Sequence, residues 1–243
     1  MLFGLFFGDW TILILIPAMI FAFSAQFKVN STFQRYNKVR STRGISASEA
    51  ARRILDMNGL YHVRIERVRG NLTDHFDPRD NVVRLSDSTY DSTSVAAIGV
   101  AAHEVGHAVQ HATGYAPIKL RAAIIPITRI GSGLAMPLFM IGLLLSYMSY
   151  GSGSGDLFMF LGIVLFSFST FFQLVTLPVE FNASRRALKT LEEREILIGN
   201  DIVGAKKVLS AAAQTYVAAL ATSLAYLLRF ILIAMGASGR RRN

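Results

Sequence analysis

The sequence contains no cysteine and few charged residues for its length. Of its 243 residues, 17% are charged and 52% are hydrophobic, and the mean hydropathy is +0.40. The absence of cysteine excludes disulfides, Cys-ligated zinc and cysteine nucleophiles, but it does not identify a compartment. Soluble domains usually carry about 25% charged residues. This shortage of charge is typical of a membrane protein.

Four apolar stretches are long enough to cross a bilayer, which takes about 20 residues. We expect transmembrane helices at residues 10–27, 122–148, 157–179 and 211–236. Arg229 interrupts the fourth stretch, which could instead be tilted or only partly inserted. No basic residue precedes the first stretch, so the sequence predicts a retained anchor rather than a cleaved signal peptide.

The net charge of +9 is distributed as a topology signal. Residues 28–121 hold 14 of the 25 Lys and Arg and residues 180–210 hold 6, whereas residues 1–27 and 130–179 hold none. Because basic residues next to spans remain cytoplasmic, we expect both basic segments in the cytoplasm, with the N-terminus and the GSGSGD loop outside. Nucleic acid is not needed to explain the charge. The GRRRN tail departs from the rule if the fourth stretch crosses.

Residues 28–118 read as a small cytoplasmic α+β unit. Ser46 and Glu49 form a capping-box pattern that opens a helix, which Gly59 ends. YHVRI and NVVRLS read as short strands, and a helix over about 92–113 follows. The fold class is therefore predicted as mostly α, a polytopic membrane protein with about four transmembrane helices and a small cytoplasmic α+β metallopeptidase unit.

The stretch AAHEVGHAVQH carries the chemistry. Two histidines four apart on a helix share one face, about 6 Å apart along the axis, so His103 and His107 can bind one zinc ion. Glu104 is rotated by about 100° from His103. Its carboxylate can therefore reach a zinc-activated water rather than the metal. This placement predicts Glu104 as the general base of a peptide hydrolysis.

A third protein ligand is needed to complete the site. His111 continues the spacing, but it lies about 12 Å along the helix from His103, too far for one zinc to bridge. The longer H-E-x-x-H-x-x-G-x-x-H pattern fails, because Gln110 and Thr113 occupy the glycine and final histidine positions.

Glu180, which lies on a cytoplasmic helix predicted over residues 180–210, is the better candidate for the third ligand. A hairpin of the second and third spans returns the chain to the face it left, and Glu180 is the first charged residue on return. The other glutamates of this region lie in the charge-rich stretch LEERE, which reads as a solvated face. Those glutamates are Glu192, Glu193 and Glu195.

The blocks LTDHFDPRDNVVRLS, HEVGHA and EFNASRRAL resemble the YugP-type bacterial membrane zinc metallopeptidases. The resemblance covers residues 71–209. More distantly, the arrangement is similar to the HtpX-like membrane gluzincins, in which a downstream glutamate is the third zinc ligand. The resemblance implies a zinc endopeptidase of the bacterial inner membrane that acts on peptides or on unfolded or membrane-associated proteins.

The resemblance also implies residues around the metal. The HtpX-like relatives usually carry an aspartate four residues after the ligand glutamate, where it orients a metal-binding histidine, but this chain has Ser184 there. Ser184 can accept a hydrogen bond without charge, and Asn182 and Arg185 are alternative orienting residues. The strand Val82–Ser86 would be the edge strand that pairs with an extended substrate. Three further side chains are candidates to stabilise the oxyanion: His75, Tyr90 and Tyr115.

Two other functions remain open from the sequence. An intramembrane protease would hold its zinc inside the bilayer, but the motif helix lies outside every predicted span. A non-catalytic zinc-binding scaffold or transporter subunit would not need Glu104, and no span carries the paired ionisable residues of a transport path.

Overall fold

A computed structural model describes residues 10–148 and 154–239. A short 3-10 turn, Trp10–Ile14, precedes the first helix. The α-helices of the described residues are α1 (Leu15–Asn37), α2 (Ala47–Met57), α3 (Val95–Ala112), α4 (Ala116–Met148), α5 (Ser154–Glu193) and α6 (Asn200–Gly239). The strands are β1 (Arg64–Val68), β2 (His75–Asp77) and β3 (Val82–Ser86).

Four of the described helices are long and apolar enough to cross a membrane. These candidate spans are Trp10–Asn37, Ala116–Met148, Gly155–Glu193 and Asn200–Ala237. Together with the small sheet, they confirm the predicted fold class, a mostly α polytopic membrane protein with an α+β unit. The segments expected outside the membrane, residues 1–9 and most of the glycine-serine loop, lie beyond the described residues, as does the basic tail from residue 240.

The helices continue past the points where their apolar stretches end. Helix α1 reaches Asn37, ten residues beyond the expected end at 27. No separate helix occupies residues 180–210: Glu180 lies within α5, on the same uninterrupted helix as the third apolar stretch. A turn at residues 194–199 leads directly into α6. A change from apolar to polar residues marks a membrane boundary, but helix propensity on the polar side lets the helix go on.

The chain forms two compact units. The described residues of the first are 10–24, 120–148, 154–176 and 216–239. Within it, the rings of Phe139 and Phe230 stack with centroids 4.5 Å apart. Arg229, which made the fourth span doubtful, is buried on α6, and its guanidinium Nε donates to Thr11 Oγ1 at 3.3 Å. The arginine is thus accommodated inside the unit by polar contact.

The second unit comprises residues 25–119 and 177–215. Its core gathers the buried faces of α2, α3 and the sheet with residues of α5 and α6. The predicted capping box is confirmed at the start of α2, where Ser46 Oγ accepts from the Glu49 amide and Glu49 accepts from the Ser46 amide. All the residues of the metal centre described below belong to this unit.

The sheet corrects the assignment of the edge strand. Its order is β1-β3-β2, with β3 parallel to β1 and antiparallel to β2. Val82–Ser86 is therefore the central strand, and four of its five residues are buried. A central strand has no free hydrogen-bonding edge for a substrate. The prediction of Val82–Ser86 as the edge strand was wrong, and β2, a strand that the sequence analysis missed, forms one edge.

Candidate metal centre

Helix α3 presents three polar side chains from an otherwise buried surface. Ser94 caps its N-terminus by accepting from the Ala97 amide at 3.1 Å. Most of the helix is alanine, valine and glycine and is buried. His103, Glu104 and His107 are only partly buried. The small apolar residues fix the helix in the core, so that its polar side chains have a defined direction.

A glycine lets α5 approach this helix closely. A Cβ at Gly106 would lie 2.7 Å from the carbonyl oxygen of Ala183, closer than real Cβ contacts permit. Ala183 is itself fully buried and lies three residues beyond Glu180. The contact therefore brings the carboxylate-bearing turn of α5 against the histidine-bearing turns of α3.

His103, His107 and Glu180 converge at this contact. The Nε2 atom of His103 lies 3.2 Å from Glu180 Oε2, and the Nε2 atom of His107 lies 3.4 Å from the same oxygen. Their candidate ligand atoms all lie within 4.8 Å of one another. The two imidazole rings are nearly perpendicular, with centroids 4.8 Å apart. Residues 77 positions apart in sequence thus face one point in space.

This donor set fits zinc. Catalytic zinc sites combine three protein ligands from histidine nitrogen and carboxylate oxygen and keep the fourth position open. Here two imidazole nitrogens and one carboxylate oxygen meet, with Glu180 buried and each histidine partly open. Because a buried carboxylate between two imidazoles requires positive charge nearby, a divalent cation suits the cluster.

Glu104 points toward the edge of the sheet. Its Oε2 atom accepts a hydrogen bond from the backbone amide of Phe76 on β2 at 3.1 Å. An amide that donates to Glu104 is directed away from β3, so this outer edge of β2 faces α3. We call His103, His107 and Glu180 the metal cluster, because together they could hold one metal ion. The Glu104 carboxylate is not one of these three groups.

Each histidine of the cluster has a second partner on its other ring nitrogen. The hydroxyl of Ser184 lies 3.1 Å from His103 Nδ1, where the sequence analysis expected an orienting residue. The amide oxygen of Gln110 lies 3.0 Å from His107 Nδ1. Gln110 was not predicted from the sequence, although a polar residue three positions after His107 on the same helix lies close enough to contact it.

The remaining predicted residues lie in varied places. His111 is exposed, and its ring contacts Phe76 with centroids 5.7 Å apart rather than joining the metal cluster. The Tyr115 hydroxyl donates to Pro178 O at 3.4 Å. His75 Nδ1 lies 2.8 Å from Thr73 O.

The other residues named from the sequence lie outside the cluster. Tyr90 packs against the core beneath the Arg67 guanidinium. Asn182 contacts Gln110 rather than a histidine, and Arg185 is exposed. The three glutamates of LEERE are exposed, and Glu195 pairs with Arg43 at 2.8 Å.

The surroundings of His107 and His111 shift the pKa values of these two histidines in opposite directions. Burial of His107 opposes protonation, but its hydrogen bond with Glu180 and the negative charge of Glu104 outweigh burial and raise its pKa. Burial and the neighbouring His107 lower the pKa of His111. His107 therefore lies in a negative environment that also favours a metal cation.

Comparison with known proteins agrees with this geometry. Residues 11–235 match a family model described as "Putative neutral zinc metallopeptidase". The chain belongs to this family of zinc metallopeptidases, and the resemblance noted in the sequence is confirmed. It is also similar to the "Putative membrane protease YugP" of Bacillus subtilis (strain 168), with 50% identity over 232 residues, which are 96% of this chain and 99% of that protein. No solved structure matches the chain significantly.

Proposed function

We propose that this chain is a membrane-integral zinc metalloendopeptidase of the gluzincin type, with His103, His107 and Glu180 as the zinc ligands. The observation that carries the proposal is the convergence of two imidazole nitrogens and one carboxylate oxygen within 4.8 Å. Membership of the zinc metallopeptidase family supports the choice of metal and reaction. Zinc bound by such ligands supplies Lewis-acid chemistry that activates water and polarises a peptide carbonyl.

Glu104 would be the general base. Its Oε2 atom is held by the Phe76 amide, which leaves Oε1 to take the proton of the attacking water. The water oxygen adds to the peptide carbonyl carbon, and the C–N bond then breaks. The proton held on Glu104 passes to the departing amine, so the carboxylate is regenerated. Its position one residue after His103 keeps it beside the metal cluster without joining it.

The location of the site follows from the charges of the sequence. Both segments that supply it, residues 28–121 and 180–210, are rich in Lys and Arg, so we place the site on the cytoplasmic side of the bacterial inner membrane. Helix α3 is not among the four candidate spans of the described residues, which favours a site outside the hydrocarbon core. Peptides and unfolded or membrane-associated proteins would be the substrates.

Replacing the base tests the proposed reaction. Glu104→Gln should keep zinc and lose at least about 100-fold in hydrolysis of a quenched-fluorescent peptide library, the lower end of general-base contributions. Glu193→Gln, an exposed glutamate on α5, is the matched control and should keep full activity. Wild-type activity in Glu104→Gln would refute the mechanism, and a zinc-loaded wild type inactive on every peptide and on casein would favour a scaffold.

A further inference from the structure

Gln110 is a polar side chain buried completely in the second unit. Its exposed fraction is 0%, and it is among the largest fully buried side chains. Burying a primary amide is unfavourable unless its donors and acceptor are paired. The Gln110 Nε2 atom donates to Val179 O at 2.8 Å and to Asn182 Oδ1 at 3.0 Å, while its oxygen faces His107. This pairing gives the buried amide a definite set of partners.

The direction of these hydrogen bonds can be deduced from groups that have only one role. The Arg186 guanidinium can only donate, and its Nε atom lies 2.8 Å from Asn182 Oδ1. The main-chain carbonyl of Val179 can only accept. The Gln110 nitrogen therefore faces two acceptors, and a flipped amide would place its oxygen against both. The orientation of the Gln110 amide is fixed from outside the metal centre.

That orientation determines the tautomer of His107. Because the Gln110 oxygen can only accept, the Nδ1 atom of His107 at 3.0 Å must carry the hydrogen. In the neutral imidazole the lone pair is then on Nε2, the atom 3.4 Å from Glu180 Oε2. The nitrogen directed at the metal cluster is the one left free to bind a metal.

We propose that Gln110, held by Asn182 and Arg186, is a positioning residue that keeps His107 in its Nδ1-protonated form with Nε2 available to the metal. The proposal rests on the ligand role of His107 in the proposed function. The site then includes, besides the three proposed metal ligands, a series of hydrogen bonds from Arg186 through Asn182 and Gln110 to His107. This series joins α5 to the turn of α3 that carries His107.

The first test measures the tautomer without metal, in a Glu180→Ala background that removes the carboxylate facing Nε2. In zinc-free full-length protein of this background, labelled with ¹⁵N-histidine, the His107 resonances, identified by their loss in His107→Ala, should show Nδ1 protonated and Nε2 unprotonated above the pKa of the ring. When Gln110→Met, which keeps the volume but cannot accept, is added to this background, the ring should shift toward Nε2 protonation. An unchanged His107 spectrum in a folded Gln110→Met protein would overturn the proposal.

The second test measures zinc affinity by chelator competition. Gln110→Met should weaken zinc binding by about 10- to 100-fold, as outer partners of metal ligands typically do. Thr113→Val is the control, because that hydroxyl binds only carbonyls of its own helix end. Wild-type affinity in folded Gln110→Met would contradict the role.

A pair of variants at Asn182 keeps the proposal testable if Gln110→Met does not fold. Asn182→Asp retains the oxygen that accepts from Gln110 and Arg186, whereas Asn182→Leu does not. We expect zinc affinity near that of the wild type in the first and a loss in the second. Equal zinc affinity in the two variants would refute the role of the hydrogen bonds from Arg186 and Asn182 to Gln110. If wild-type protein binds no zinc at all, the proposed function fails, while the tautomer measurement still decides the role of Gln110.

Discussion

The two histidines of the metal cluster are held in different ways. His103 contacts the hydroxyl of Ser184, which is partly buried and whose hydrogen can rotate to donate or accept. His107 contacts the amide of Gln110, which is buried and fixed by two further hydrogen bonds. One histidine therefore has an adaptable partner and the other a rigid one.

This difference indicates how the site can be both organised and adjustable. The partner on the His103 side is an uncharged hydroxyl, and a network of neutral amides anchored by a guanidinium lies on the His107 side. His107 therefore has the more firmly fixed hydrogen-bond partner of the two histidines.

The largest expected effect comes from removing Glu180, the proposed ligand whose carboxylate lies near both histidines. Glu180→Ala should lower zinc affinity by more than about 100-fold, beyond the loss typical of outer partners, because Glu180 Oε2 faces both imidazoles. Zinc content after dialysis against a chelator measures it. Glu192→Ala, an exposed glutamate further along the same helix, is the control and should stay zinc-loaded. A zinc-replete Glu180→Ala protein would mean that the histidines find their third ligand elsewhere.

The next largest effect should come from forcing apart α3 and α5, the two helices that supply the proposed ligands. Gly106→Ala places a methyl group 2.7 Å from Ala183 O, and overpacking of this kind costs about 1–3 kcal/mol. Thermal unfolding should occur at lower temperature and zinc affinity should fall with it. Gly99→Ala, whose new methyl group would meet Ala205 at 3.4 Å or more, should be neutral or stabilising. Equal behaviour of the two variants would contradict the close approach of α3 and α5.

A smaller effect is expected from removing the partner of His103, and it can be compared directly with the removal of the partner of His107. Ser184→Ala should weaken zinc binding by no more than about 10-fold, the lower end for an outer partner. The loss should be less than that of Gln110→Met, because a rotating hydroxyl constrains its histidine less than a fixed amide. Isothermal titration with zinc, corrected for chelator, compares the variants. A larger loss in Ser184→Ala than in Gln110→Met would reverse the assignment of the rigid ligand.

The smallest effect lies on the solvent side of the sheet. Hydrogen bonds from the Arg79 amide and the Arg84 guanidinium lower the pKa of Asp77. A lowered pKa stabilises the fold above the unfolded value of about 3.9 and is lost as pH falls through the folded value. Asp77→Asn should therefore be slightly less stable than wild type at pH 7, and the difference should shrink as the pH falls below the unfolded value of about 3.9. Urea unfolding over a series of pH values from 7 downward tests this, and zinc affinity at pH 7 should not change.

Features with a local signature were predictable from the sequence. The apolar stretches, the capping box at Ser46 and the pair His103 and His107 each depend on spacing within one helix, and the fold class followed from them. Glu180 could be proposed because a hairpin of two spans returns the chain to its starting face. The ends of the helices could not be predicted, because a helix can continue beyond the membrane boundary, as α1 and α5 do.

Features that depend on pairing between distant segments could not be predicted. Strand β2 is three residues long, HFD, and is followed by Pro78, so it has no alternating pattern to detect. The order of the strands is set by tertiary packing, which is why β3 was mistaken for an edge. The role of Gln110 depends on Val179 and Asn182, about 70 positions away.

The most direct test of the metal centre is the zinc X-ray absorption fine structure of wild type, Glu180→Ala and His111→Ala. For the wild type and for His111→Ala, the ligand assignment predicts two imidazole nitrogens and carboxylate oxygen at about 2.0–2.2 Å. In Glu180→Ala it predicts loss of bound zinc or replacement of the carboxylate by water oxygen, with both imidazoles kept. Three imidazoles in the wild type, falling to two in His111→Ala, would contradict it.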